Sequence, residues 1–173
     1  MKILIESLAD VEQHMLTVSE SSEKTKSWLN RHTGNGIELI RALKFKPVGC
    51  HPIGGYNLNA IEQINQTFTY LVALAAAKQL LKWHPDVGGF WLAPGAHMAL
   101  PLDIMSVSPG IVGAETFAAV SPSNNGKLAR DLKALSTRNE KHRYVFLSTP
   151  KYPHLEHLSR YDIDGIQVWA VEV

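Results

Sequence analysis

Apolar and polar residues are arranged along the chain in patterns that predict a long helix followed by strands. Residues 57–83 carry apolar side chains at helical spacing along one broad stripe, with Asn57 or Asn59 as a candidate N-cap. The proline and glycines of "HPDVGG" end this helix. Three apolar segments then predict strands that can form an antiparallel meander, at residues 89–98, 99–107 and 111–120.

A second helix and two more strands complete the pattern. Residues 124–137 place leucines at helical spacing, and residues 143–149 form an apolar run typical of a strand buried on both faces. A loop with one helical turn is expected at 150–165, and "GIQVWAVEV" at 165–173 predicts a last strand. Because the helix at 124–137 can cross over to a parallel strand, the chain is predicted to have an α/β fold with a mixed sheet flanked by helices.

Residues 1–56 are predicted to be a helical N-terminal extension packed on a core of residues 57–173, within a single domain. "KILI" predicts a short strand or a first helical turn. Residues 19–45 predict a helix interrupted by "TGNG", and serine and glutamate residues at 19–23 are its candidate caps. Residues 46–56 are rich in proline and glycine and predict a loop.

Composition narrows the class of protein. The chain has 173 residues, of which 45% are hydrophobic and 19% charged, so it can bury a core. A single cysteine rules out a disulfide within the chain and favours a cytoplasmic location. Glu6 and Asp10 interrupt the first apolar run, so no signal peptide is predicted. Since no segment is long and apolar enough to span a bilayer, we expect no membrane partner.

Charge is unevenly distributed, although the net charge is only +1. Residues 22–46 and residues 127–143 each contain six Lys and Arg residues against two acids, a local charge of +4 in each segment. Two basic segments on a nearly neutral chain can follow a phosphate backbone. They can equally be solvated helix faces, and the sequence leaves both interpretations open.

Two acids stand inside predicted apolar strands. Asp103 lies in the segment 99–107 and Glu115 in the segment 111–120. If these strands pair across the "SPG" turn, the two acids come close on one face, where two carboxylates repel each other and one pKa rises. A hard divalent cation such as Mg²⁺ relieves that repulsion and can activate water for attack on a phosphodiester.

The order helix, three strands, helix, strand, with Asp103 in the second strand and Glu115 in the third, resembles the PD-(D/E)XK superfamily of restriction-endonuclease-like nucleases. The resemblance covers roughly residues 57–173. It implies that Asp103 and Glu115 bind Mg²⁺ or Mn²⁺ and that Glu62, on the preceding helix, joins them as a third metal ligand. It further implies cleavage of DNA, and it allows a homodimer.

Phe117 departs from the pattern of that superfamily, which places a lysine two residues after the second acid. Phenylalanine can neither orient nor deprotonate water. Lys127, early in the next predicted helix, is the candidate replacement for this catalytic lysine. The alternative is a nuclease fold without catalysis that binds nucleic acid or a protein partner.

Structural roles remain open for the same residues. Asp103 can accept a hydrogen bond from a neighbouring backbone N–H, and Glu115 can lie in solvent at a strand end. Glu62 and Lys127 can be surface charges, and Lys127 can also be a phosphate contact. If the strand acids only make hydrogen bonds between strands, the chain is a structural or assembly protein. The loop "SPSNNG" at 121–126 either holds a phosphate at a helix N-terminus or supplies an ordinary N-cap.

Overall fold

The computed structural model describes residues 1–95 and 99–173. Four α-helices lie in these ranges: α1 (Leu8–Asn30), α2 (Gly36–Phe45), α3 (Ala60–Trp83) and α4 (Lys127–Ser136). The strands in the same ranges are β1 (Ile3–Ile5), β2 (Gly49–Cys50), β3 (Asn57–Leu58), β4 (Phe90–Leu92), β5 (Ile104–Ser106), β6 (Val112–Ala118), β7 (His142–Ser148), β8 (Glu156–His157) and β9 (Ile166–Ala170).

The main sheet has seven strands in the order β1-β4-β5-β6-β7-β9-β8. Strands β4, β5 and β6 pair antiparallel as a meander, whereas β6, β7 and β9 pair parallel. Helix α4 forms the connection from β6 to β7. The predicted α/β fold, with a meander joined through a helix to a parallel strand, is therefore confirmed.

Helix α3 is the element that the apolar pattern predicted best. It begins after Asn59, whose side chain accepts a hydrogen bond from the Glu62 backbone N–H at 2.8 Å. It ends at Trp83, two residues before Pro85. Its alanines allow the helix backbone to approach the sheet closely, and Ala73 is among those that are completely buried beneath β6 and β7.

The N-terminal segment contributes a strand to the main sheet. β1 pairs antiparallel with β4 and so forms one edge of the main sheet. Helix α1 begins at Leu8, where Ser7 and Asp10 form a capping box, and the residues at 19–23 proposed as caps lie inside this helix. The earlier capping box decides the start of the helix because it satisfies free backbone N–H groups at the first turn.

Other element boundaries also differ from the sequence predictions. β4 and β5 are three residues each, and Asp103 lies directly before β5 instead of within a strand. Part of the predicted strand 89–98 lies outside the described residues. The two-residue strands β2, in the predicted loop 46–56, and β8, within 150–165, were missed because such short strands show no periodicity.

The sheet separates two apolar clusters. On one side, residues of α3 pack against the sheet around Phe90, Ile104 and Phe146. On the other side, α4 packs through Leu128 and Leu135 against the sheet. None of the helices in the described part of the chain is long and apolar enough to cross a membrane.

Candidate active site

An open cavity of about 1230 Å³ lies where strands β6 and β7 end. Because these strands are parallel, their carboxyl ends meet at the same edge of the sheet. The last residue of each strand and the two residues after it, at 118–120 and 148–150, form part of the cavity wall. The same wall contains Asp103, Glu115 and Lys127, so the structure brings these three predicted site residues together.

Strand register explains why the two acids meet. In the antiparallel register of β5 and β6, Met105 pairs with Gly113 and Ile104 pairs with Ala114. One step further along the same register places Asp103 opposite Glu115. The adjacency expected from the sequence therefore follows from a local antiparallel connection.

Asp103 is held in place by the neighbouring strand. Its Oδ2 atom accepts a hydrogen bond from the Thr116 backbone N–H at 2.9 Å and another from the Thr116 hydroxyl at 2.9 Å. The carboxylate thus takes a backbone donor that a longer β5 would have used in the sheet. Asp103 accordingly has the structural role that the sequence left open, and it also faces the cavity.

Glu115 lies in an environment that favours its protonated form. Burial, the nearby carboxylate of Asp103 and, further away, that of Asp131 raise the pKa of Glu115 to about 8, although the charge of Lys127 acts in the opposite direction. Without a bound cation, the Glu115 carboxyl is therefore mostly protonated at neutral pH. A cation held between Asp103 and Glu115 would replace that proton and remove the repulsion.

Lys127, the first residue of α4, is held by an acid one turn further along the helix. Its Nζ atom lies 2.5 Å from Oδ1 of Asp131. The Asp131 side chain is only 6% exposed, whereas that of Lys127 is 36% exposed. Burial raises the pKa of Asp131 to about 6, although the hydrogen bond from Lys127 opposes the shift. The ammonium group of Lys127 is thus held by an ion pair beside the carboxylates.

Asp131 is not among the site residues predicted from the sequence, in which it is one of two acids within a basic segment. Its spacing carries a signal: it lies three residues after Leu128 and four before Leu135, on the buried face of α4. An acid on the apolar stripe of a helix needs a partner, and Lys127 stands four residues before it. Read together, these two spacings identify the pair.

Glu62 is not brought to the cavity. It is exposed in the first turn of α3, and the residues of this helix that line the cavity are Ile64, Asn65, Phe68 and Thr69. Within residues 1–95 and 99–173, no cluster of three or more His, Cys, Asp or Glu side chains is arranged for a metal ion. The expected site of Glu62 with Asp103 and Glu115 is therefore not formed there, because the helix presents Glu62 to solvent.

Phe117 is a core side chain. It is 6% exposed and packs in the cluster that contains Leu128 and Leu135 of α4, with its edge at the cavity. Position 117, where the resembling superfamily has a lysine, therefore serves the packing between β6 and α4. Lys127 reaches the same cavity from the helix.

The turn before α4 supplies further polar groups to the cavity. Asn125 and Gly126 both have left-handed backbone conformations, with φ values of 55° and 62°. No side chain in the described residues caps the first turn of α4, so the predicted side-chain N-cap is wrong. Arg130 donates a hydrogen bond to the Asn125 carbonyl at 2.9 Å, and both residues, with Asn124, line the cavity.

The donor set of the cavity suits Mg²⁺. Asp103 and Glu115 offer hard carboxylate oxygens, and the raised pKa of Glu115 marks a pair of acids that a cation would stabilise. Mg²⁺ is commonly held by one or two carboxylates with water or phosphate oxygens at its remaining positions. The two acids fit this form of site.

Comparison of the chain with protein-family models, with curated proteins and with solved structures gives no match.

Proposed function

We propose that the protein is a Mg²⁺-dependent nuclease that cleaves phosphodiester bonds of DNA, with a restriction-endonuclease-like core formed by α3, β4, β5, β6, α4 and β7. The observation that carries the proposal is the carboxylate pair Asp103 and Glu115, which faces an open cavity beside the ammonium group of Lys127. Paired acids and a cationic side chain at one cleft are the groups that phosphodiester hydrolysis requires.

Each residue has a role in this proposal. Asp103 and Glu115 would hold the metal ion, which supplies Lewis-acid activation of the phosphate and of the attacking water. Thr116 orients Asp103 through its two hydrogen bonds. Lys127 orients water or contacts the phosphate being cleaved. Arg130, Asn124 and Asn125 lie on the same wall and bind neighbouring phosphates.

DNA cleavage by the purified chain tests the proposal. Supercoiled plasmid and single-stranded DNA would be incubated with Mg²⁺ or Mn²⁺, with a chelator as the blank. We expect Asp103→Asn and Glu115→Gln each to lower the cleavage rate by at least about a hundredfold, because each removes a metal ligand. Glu62→Gln is the matched control, since this acid lies outside the cavity, and it should retain activity.

Full metal-dependent cleavage by Asp103→Asn would contradict the proposal. Loss of activity in Glu62→Gln equal to that in Asp103→Asn would instead show that the metal site lies elsewhere than at this cavity.

A second candidate function is DNA binding without catalysis. The burial of Phe117 favours it, because the strand carries no lysine at the position where the resembling nucleases have one. In that case DNA would bind with strong salt dependence and would not be cleaved with either metal. If DNA does not bind even at low salt, a protein partner becomes the better candidate.

A further inference from the structure

Asp131 is a buried acid whose position is not explained by stability. It lies on the apolar face of α4 between Leu128 and Leu135, where an ionised carboxylate is unfavourable unless it is fully paired. Its Oδ1 atom contacts Lys127, but Oδ2 is buried and has no hydrogen-bond partner within residues 1–95 and 99–173. A half-satisfied buried carboxylate destabilises a fold compared with an apolar residue of similar volume.

The geometry of this ion pair differs from that of an ordinary surface pair in the same chain. Lys26 and Glu23 also form a helical pair, and both of their side chains are largely exposed, 65% and 62%. In the Lys127–Asp131 pair the acid is buried and the lysine extends to the cavity wall. The buried partner therefore fixes the position of a group that faces the cavity.

Fixing that group matters because two other carboxyl groups are close. The carboxyls of Glu115 and Asp103 lie near enough to interact electrostatically with Lys127 or Asp131. A flexible lysine would move onto this pair or out into solvent. Its ion pair with Asp131 keeps Nζ beside the carboxylates without making it their main partner.

We infer that Asp131 is a positioning residue that holds the Lys127 ammonium at the cavity wall, and that the two residues together replace the strand lysine whose place Phe117 occupies. This inference rests on the proposed function for its catalytic consequence. The positioning itself is measurable without any activity.

The first test measures the chemical reactivity of Lys127. The protein would be acetylated with a trace of reagent at neutral pH, and the modification of Lys127 and of Lys133 would be followed by mass spectrometry. Because Asp131→Asn removes the charge that restrains the ammonium group, we expect about a tenfold faster modification of Lys127, with Lys133 unchanged. An unchanged rate at Lys127 would overturn the inference.

The second test is a kinetic cycle on DNA cleavage. Lys127→Gln and Asp131→Asn should each lower kcat by about tenfold with little change in KM, and the double variant should be no slower than Lys127→Gln alone. Additive losses would contradict a shared role. Glu140→Gln is the matched control, because it breaks another buried ion pair, with Arg138, outside the cavity; it should leave kcat unchanged.

Folding is checked separately from positioning. Asp131→Asn removes a buried charge, so its thermal midpoint at neutral pH should be no lower than that of the wild type. If this variant does not fold, Asp131→Ser is used in the same two tests. Absence of DNA cleavage in the wild type would contradict the proposed function, and the acetylation rates would still decide whether Asp131 positions Lys127.

Discussion

The pKa of Glu115 reflects the surroundings of its carboxyl group. Its ordinary pKa of 4.5 rises to about 8 in the folded protein, mainly because the carboxyl is buried and secondly because Asp103 is close. In the unfolded chain the group loses its proton near its ordinary pKa. Between these two values the folded state holds a proton that the unfolded state has released, so stability falls as the pH rises through this interval.

The resulting prediction concerns the pH dependence of stability. Above about pH 6 the contribution of Asp131, whose pKa is raised to about 6, is largely complete, whereas that of Glu115 continues to about pH 8. We expect the free energy of unfolding of the wild type to decrease between about pH 6 and pH 8, and that of Glu115→Gln to decrease clearly less. Urea unfolding at several pH values measures both. Parallel curves for the two proteins would show that Glu115 is not protonated as described.

At the scale of elements, the packing between β6 and α4 determines how the candidate site is assembled. Phe117 on β6 packs in the same cluster as Leu128 and Leu135 on α4, and α4 in turn carries Lys127 and Asp131. Phe117, the residue at which β6 differs from the resembling nucleases, thus contributes to the packing of α4 on the sheet. The packing of β6 against α4 and the position of Lys127 at the cavity are therefore connected.

Truncation of Phe117 tests its contribution to the packing between β6 and α4. Phe117→Ala should lower the free energy of unfolding by about 3 to 5 kcal/mol, because it removes a large buried side chain and leaves a cavity. Phe45→Ala is the matched control, since Phe45 is 75% exposed, and it should change stability by less than about 0.5 kcal/mol. Chemical denaturation measures both variants. Equal effects would show that Phe117 does not support the core.

At the scale of the whole molecule, the two basic segments lie at different places relative to the cavity. The segment 127–143 begins at the cavity, where Lys127 and Arg130 form part of its wall, whereas residues of the segment 22–46 are not among the lining residues. A phosphate backbone bound at the cavity would therefore contact Arg130 directly. The basic character of a segment does not by itself predict this difference.

Salt-dependent DNA binding tests the position of the backbone. Arg130→Gln should weaken binding for all sequences and reduce the slope of the logarithm of affinity against the logarithm of salt concentration by about 1. Lys133→Gln, on the same helix and outside the cavity lining, is expected to leave the slope nearly unchanged. Fluorescence anisotropy with a labelled oligonucleotide, in the presence of a chelator, measures the slope. Equal slopes for the two variants would place the nucleic acid elsewhere.

The sequence by itself determined the elements whose signals are local. Apolar spacing predicted α3 and α4, the short "SPG" turn predicted that β5 and β6 pair, and that pairing placed Asp103 opposite Glu115. These predictions succeed because helical periodicity and a tight antiparallel connection depend on residues close together in the chain.

Tertiary structure alone decided the rest of the candidate site. It directed Glu62 to solvent and buried Phe117 in the cluster that contains Leu128 and Leu135 of α4. It also added β1 to the edge of the main sheet. Each outcome depends on how a helix is rotated against the sheet or on which distant strand pairs at an edge. Such contacts are fixed by packing among residues far apart in the sequence, which no local pattern records.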